Sequence, residues 1–188
     1  MHHDCVNVPT AILCAVCAAA FLQLGSRRFN FLQLHMHSTA EHAIAGALAQ
    51  AEVHLVHANA ADSADVLVVA VLLQGQPAGS VDNVVIAPLF DKLAAVTGGP
   101  PFAGDNSAAC DPYSLLPPSP EYFIYHGSFT TPPCTAGVTW VVLSGGSSQL
   151  QQFRSALAQA PGSLVDAQGN NVRPLQPLNG RLAHYCMF

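Results

Sequence analysis

A chain of 188 residues in which 51% of the side chains are apolar carries enough material for one buried core of ordinary domain size. Only 9% of the residues are charged and the formal net charge is -5, which excludes the basic surface that a phosphate backbone demands, so nucleic acid is not an expected partner. Glycine and proline number 14 each and concentrate between residues 75 and 134, the pattern of ordered connections rather than of repeats or low-complexity tracts.

The chain opens on its least regular part. Residues 11–22 are all apolar, the length of a signal-peptide core and short for a membrane span. No Lys or Arg precedes them, whereas Arg27 and Arg28 follow. Residues 1–28 are therefore expected to form an apolar N-terminal segment, a signal or anchor or an atypical gene-model start, with residues 29–188 as a single domain. Export to a secreted, periplasmic or otherwise extracytoplasmic location is the expectation, and anchoring by residues 8–24 is the less favoured alternative. Cys14 and Cys17 sit in this run with no second pair of ligands and read as small buried apolar residues. Cys110, Cys134 and Cys186 lie in loop-like surroundings, where export would permit one disulfide among them or with Cys5.

Residues 29–37 contain no Gly or Pro and read as a strand, with Phe29, Phe31, Gln33, His35 and His37 on one face and Asn30, Leu32, Leu34 and Met36 on the other. Residues 51–58 form a second strand, with Glu52, His54 and Val56 on one face and Val53, Leu55 and His57 on the other. The connection between them is short enough for adjacent antiparallel pairing. Residues 66–73 and 137–143 are continuous apolar runs, the second carrying the only tryptophan, and are expected as central strands buried on both faces. Helical periodicity shows only at Leu150, Phe153 and Leu157 and around residues 88–96. Sheet should dominate the fold.

Histidines two apart on a strand project to the same side, so His35 and His37 can reach one ion, and His54 can supply a third nitrogen from the neighbouring strand. Glu52, on the same face as His54, can take the ring's other N–H and hold the tautomer that metal binding needs; Gln33 can do the same for His35. Three neutral imidazoles with an open fourth position describe a catalytic zinc site. A lone inward histidine is more often a core residue satisfied by its neighbours. Here five of the nine histidines, at 35, 37, 42, 54 and 57, fall in one short stretch, which favours the ion. His42 and His57 read as the structural members of this group, hydrogen-bonding in the core.

The run Gln33-Leu34-His35-Met36-His37, followed by Ser38-Thr39-Ala40-Glu41-His42 and by Glu52-Val53-His54-Leu55-Val56-His57, resembles the α-class carbonic anhydrases. Tyr125 to Cys134, with Thr130-Thr131-Pro132-Pro133, and then Val138-Thr139-Trp140 resemble the family's second motif, and Asn171 to Asn179, with Arg173, Pro174, Gln176 and Pro177, resembles its C-terminal signature. The short spacing from His37 to Glu41 is similar to that of bacterial and algal members. The resemblance covers the chain from about residue 29. It implies a mainly β (α+β) domain around a large twisted, mostly antiparallel sheet with few short helices, binding Zn2+ and converting carbon dioxide to bicarbonate through zinc-bound hydroxide. It implies that Thr130 accepts a hydrogen bond from that hydroxide and donates its own proton to Glu41. Glu52, Gln33 and His42 would support the ligands, Thr131 would line the polar side, and Val56, Val68, Phe129, Val138 and Trp140 would form the wall where carbon dioxide rests.

The family's N-terminal segment, with its proton-shuttling histidine, has no counterpart in residues 1–28, so impaired turnover is expected; His2, His3 and His126 are the candidate substitutes. The alternative reading is a catalytically weak or silent carbonic-anhydrase-like module that binds or supports. Oligomeric state is left open.

Overall fold

A computed structural model describes residues 12–15, 20–75, 112–116, 121–148 and 171–187. Their elements in chain order are β1 (Ile12–Ala15), β2 (Phe21–Leu24), β3 (Arg27–His37), β4 (Ala43–Ile44), β5 (Ala47–Leu48), β6 (Ala51–Asn59), β7 (Val66–Gly75), a 3-10 turn (Pro112–Leu115), β8 (Tyr122–Ser128), β9 (Ala136–Ser148) and β10 (His184–Cys186). Eight strands form one sheet in the order β1-β3-β6-β7-β9-β8-β10, with β2 also pairing β3; β4 and β5 make a separate small hairpin. Every pairing is antiparallel except that of β7 with β9. The expected mainly β architecture is what the chain adopts. Both helical stretches anticipated near residues 88–96 and 150–157 lie outside the described residues.

The runs expected as central strands occupy the middle of the sheet. β7 is buried from Val66 to Leu73 and alternates its side chains between two cores. Leu67, Val69 and Val71 join Phe29, Leu34, Met36, Val53 and Leu55 on one face. Val66, Val68 and Ala70 join Val56, Val138, Trp140 and Val142 on the other. A strand buried on both faces needs an unbroken apolar run, which is why β7 reads VLVVAVLL. Burial of each such side chain contributes roughly 1.5–3 kcal/mol.

One expectation about β3 is corrected. The register against β6 shifts between Phe31 and Gln33, with Phe31 opposite His57 and Gln33 opposite Val56. Leu32 is the extra residue of this bulge, and its side chain is 48% exposed. Because side chains alternate with a period of two, one inserted residue exchanges the faces. Phe29 and Phe31 therefore lie in the first core with Leu34 and Met36, rather than on the face of His35 and His37.

Two short strands precede β3. β1 and β2 both pair with β3, β1 along Gln33 to His35 and β2 along Arg27 to Asn30. Among the described residues no helix is long and apolar enough to cross a membrane.

Candidate metal centre

β3 and β6 hold His35 directly opposite His54, with His37 two residues further along β3. The three rings meet with centroids 5.1, 5.0 and 4.6 Å apart, and one nitrogen from each lies within 4.8 Å of the others. All three are buried, at 7%, 1% and 1% exposure for His35, His37 and His54.

The partners of the outer ring nitrogens settle where the protons are. His35 Nδ1 donates to Gln33 Oε1 at 2.8 Å, His37 Nδ1 to the carbonyl of Asn171 at 2.7 Å, and His54 Nε2 to Glu52 Oε1 at 2.6 Å. An amide oxygen, a carbonyl and a carboxylate can only accept, so each outer nitrogen carries the hydrogen. The inner nitrogens, His35 Nε2, His37 Nε2 and His54 Nδ1, then face one another, and in neutral rings each presents a lone pair. His54 Nδ1 and His35 Nε2 stand 3.1 Å apart, and His37 Nε2 is buried without a partner. Burial, and then the neighbouring His54 and His37, hold His35 well below the usual histidine range; burial and then His54 lower His37. Three converging lone pairs repel unless a cation lies between them. A tetrahedral ion with bonds of about 2.0–2.1 Å sets its ligand atoms roughly 3.3 Å apart, close to the separation found here. The donor set fits a divalent ion such as zinc.

Glu52 anchors the surroundings. Its Oε1 accepts from His54 and from His42 Nδ1 at 2.5 Å, and its Oε2 accepts the backbone N–H of Glu41 and of His42, each at 2.8 Å. Burial alone would raise its pKa, but the charges and hydrogen bonds of His42 and His54 outweigh that and hold it well below the carboxylate range. Burial likewise opposes protonation of His42, yet the charge and hydrogen bond of Glu52 raise it overall. His42 also meets Tyr125 Oη through Nε2 at 2.6 Å, so its part is to brace Glu52. His57 stays apart, in the first core: its ring stacks on Tyr113, Nε2 meets the tyrosine hydroxyl at 3.1 Å, and burial lowers its pKa to about 4.

Glu41 is buried beside this group. Oε1 accepts the backbone N–H of Arg173 at 2.7 Å, while Oε2 has no hydrogen-bond partner and lies 3.5 Å from His37 Nε2. Thr130 lines one cleft with Glu41 and His42, and no described hydrogen bond joins Thr130 to Glu41. Thr131 is half-buried next to it. The apolar wall is assembled by register: Val56 pairs Val68, Val68 pairs Trp140, and Val138 follows on β9. All four belong to the second core, with Phe129 packed against it. Trp140 lies 4.8 Å from the His54 ring and donates through its indole N–H to the Ser128 carbonyl at 3.1 Å. Gly127 makes this packing possible, since a Cβ there would fall 2.9 Å from Tyr125 Cε2 and 3.0 Å from Trp140 Cδ1.

Two supports were not foreseen. Asn171 binds β3 three times: its carbonyl takes His37 Nδ1, its Oδ1 takes the Ser38 N–H at 2.8 Å, and its Nδ2 donates to the Met36 carbonyl at 3.0 Å. Tyr125 closes the chain from His42. His126, next on β8, is exposed and points to the opposite face, away from the histidines. Among the described residues Cys186, at the end of β10, is a free thiol.

A three-histidine metal site on a large mixed β-sheet is the class that these features define. The family model described as eukaryotic-type carbonic anhydrase matches residues 13–186, and the chain belongs to that family. Carbonic anhydrase 1 of Oryctolagus cuniculus is 40% identical over 177 residues, which is 83% of this chain and 72% of the relative. The carbonic anhydrase of Nostoc sp. is 32% identical over 167 residues, 87% of this chain and 56% of the relative. The chain thus spans between 56% and 72% of the length of these curated relatives. Among solved structures, the α-carbonic anhydrase of Thermovibrio ammonificans in complex with the inhibitor sulfanilamide superposes with a TM-score of 0.70 at 27% identity, covering 90% of this chain and 68% of that one. Dioscorin complexed with ascorbate superposes with a TM-score of 0.75 at 28% identity, covering 90% and 66%.

Proposed function

We propose that the chain binds one zinc ion through His35, His37 and His54 and catalyses the reversible hydration of carbon dioxide to bicarbonate and a proton. The observation that carries this reading is the convergence of three buried, inward-facing imidazole nitrogens whose outer N–H groups are all held by acceptors. Bound zinc lowers the pKa of its water to about 7 and so supplies hydroxide at neutral pH.

The chain's own residues orient the reaction. Glu41 can only accept, and its Oε2 is the free position. A Thr130 hydroxyl that donates there keeps only lone pairs for the attacking oxygen, so it accepts that oxygen's hydrogen and turns the oxygen's own lone pair toward carbon. Val56, Val68, Phe129, Val138 and Trp140 exclude water and hold the apolar substrate, while Thr131 faces the charged product. Water and carbon dioxide balance to bicarbonate plus one proton, which must pass to buffer. The extracytoplasmic setting expected from the sequence belongs to the same reading.

The second reading, a weak or silent module, draws on the likeness to dioscorin, whose structure was solved with ascorbate. Stopped-flow hydration separates the two. A zinc-dependent rate suppressed by sulfanilamide supports the enzyme; folded, zinc-loaded protein with no rate above buffer refutes it.

A further inference from the structure

A cleft of about 340 Å³ opens beside Glu41 and Thr130, and none of the three histidines lines it. Its size is that of a small-molecule site. One wall is apolar, formed by Ile44, Phe123, Val142 and Leu178. The other carries two guanidinium groups, Arg173 and Arg181.

Both arginines are held in place. Arg173 donates through Nη1 to Ser128 Oγ at 3.2 Å, which fixes its guanidinium at the cleft wall. Arg181 donates through Nε to the Leu178 carbonyl at 2.8 Å and through Nη2 to the Pro177 carbonyl at 2.9 Å, and its guanidinium lies 5.5 Å from the centre of the Tyr125 ring. Planar guanidinium groups fixed in this way suit a carboxylate. Among the described residues that line it, Glu41 is the one carboxylate, and His42 is paired with the buried Glu52 behind the wall. The two arginines against Glu41 then favour a monoanion and oppose a second negative charge on the ligand.

We infer that this cleft binds a small organic monocarboxylate, its carboxylate between Arg173 and Arg181 and its apolar body against Ile44, Phe123, Val142 and Leu178. The binding stands independently of the reaction proposed above.

Equilibrium dialysis with benzoate on the full chain tests it, with benzyl alcohol and phenyl phosphate as controls. Benzoate should bind with a Kd of about 1 mM or tighter. Neither control should bind comparably, and the affinity should persist after zinc is stripped by chelation. Arg181→Gln should weaken benzoate about tenfold, the loss expected for one charge-assisted contact. Should that variant fail to fold, Leu178→Asp, at an exposed position, places a repelling carboxylate on the wall and should do the same. No benzoate binding at about ten times that concentration, binding that disappears on chelation, or equal affinity in the wild type and a folded variant would overturn the inference.

Discussion

His54 Nδ1 lies 3.1 Å from His35 Nε2, two inward lone pairs when both rings are neutral, because Glu52 and Gln33 take the hydrogens on the far sides of the two rings. Such a contact is repulsive in the absence of a cation. Zinc should therefore bind with one-to-one stoichiometry and raise the melting temperature, by about 2.7 kcal/mol of stability at a hundredfold excess over Kd. His54→Ala should abolish retention. Elemental analysis after dialysis reads this, and a His54→Ala protein that keeps a full equivalent of zinc would contradict it.

Thr130→Ala separates holding the metal from using it. Thr130 offers no ligand atom to the trio, so zinc content should stay at one equivalent while the hydration rate falls roughly 10²-fold, the usual consequence of losing one preorganised hydrogen-bonding group. Thr130→Ser, which keeps the hydroxyl, should recover most of the rate. Parallel loss of metal and rate in Thr130→Ala would show that the division of roles is wrong.

Glu52 receives four hydrogen bonds with no exposure to solvent. Glu52→Gln puts an amide N–H2 against at least one existing donor and removes the charge that raises His42. Zinc affinity should drop about 10- to 100-fold, and the stability loss should be about 3–5 kcal/mol. Competition with a chromophoric chelator measures the first and denaturant melts the second. An unchanged zinc affinity would remove Glu52 from the support of His54.

His57 provides a pH signature away from the metal. Its folded-state pKa, about 4, lies below the ordinary value of 6.5. The unfolded chain therefore takes up this proton first as pH falls. The stabilising contribution is complete above about pH 6.5 and is lost progressively toward pH 4. Between pH 7 and pH 5 the loss should be about 2 kcal/mol. His57→Phe should lack this component, which urea melts at the two pH values would reveal as a smaller change than in the wild type.

Local pattern carried most of the site in the sequence. The i, i+2 spacing of His35 and His37, and Glu52 two residues before His54, place four side chains on one face with no knowledge of the fold. The bulge at Leu32 was hidden, because nothing in Phe31-Leu32-Gln33 departs from ordinary strand chemistry; only the pairing with β6 reveals the extra residue. Asn171 escaped for a different reason. It stands 134 residues from His37, and a backbone carbonyl used as an acceptor leaves no mark on residue type. Hydropathy gave no sign that β1 and β2 pair with β3, since an apolar run reads the same at a sheet edge as elsewhere.

The central claim is interconversion of carbon dioxide and bicarbonate at the three-histidine site. Exchange of oxygen-18 between labelled bicarbonate and water at chemical equilibrium tests it most directly, because label leaves bicarbonate only through interconversion and no net proton release is needed. Zinc-loaded protein should accelerate the loss of label well above the buffer rate, and sulfanilamide or His54→Ala should abolish the acceleration. Exchange at the buffer rate from folded protein holding one zinc would contradict the account.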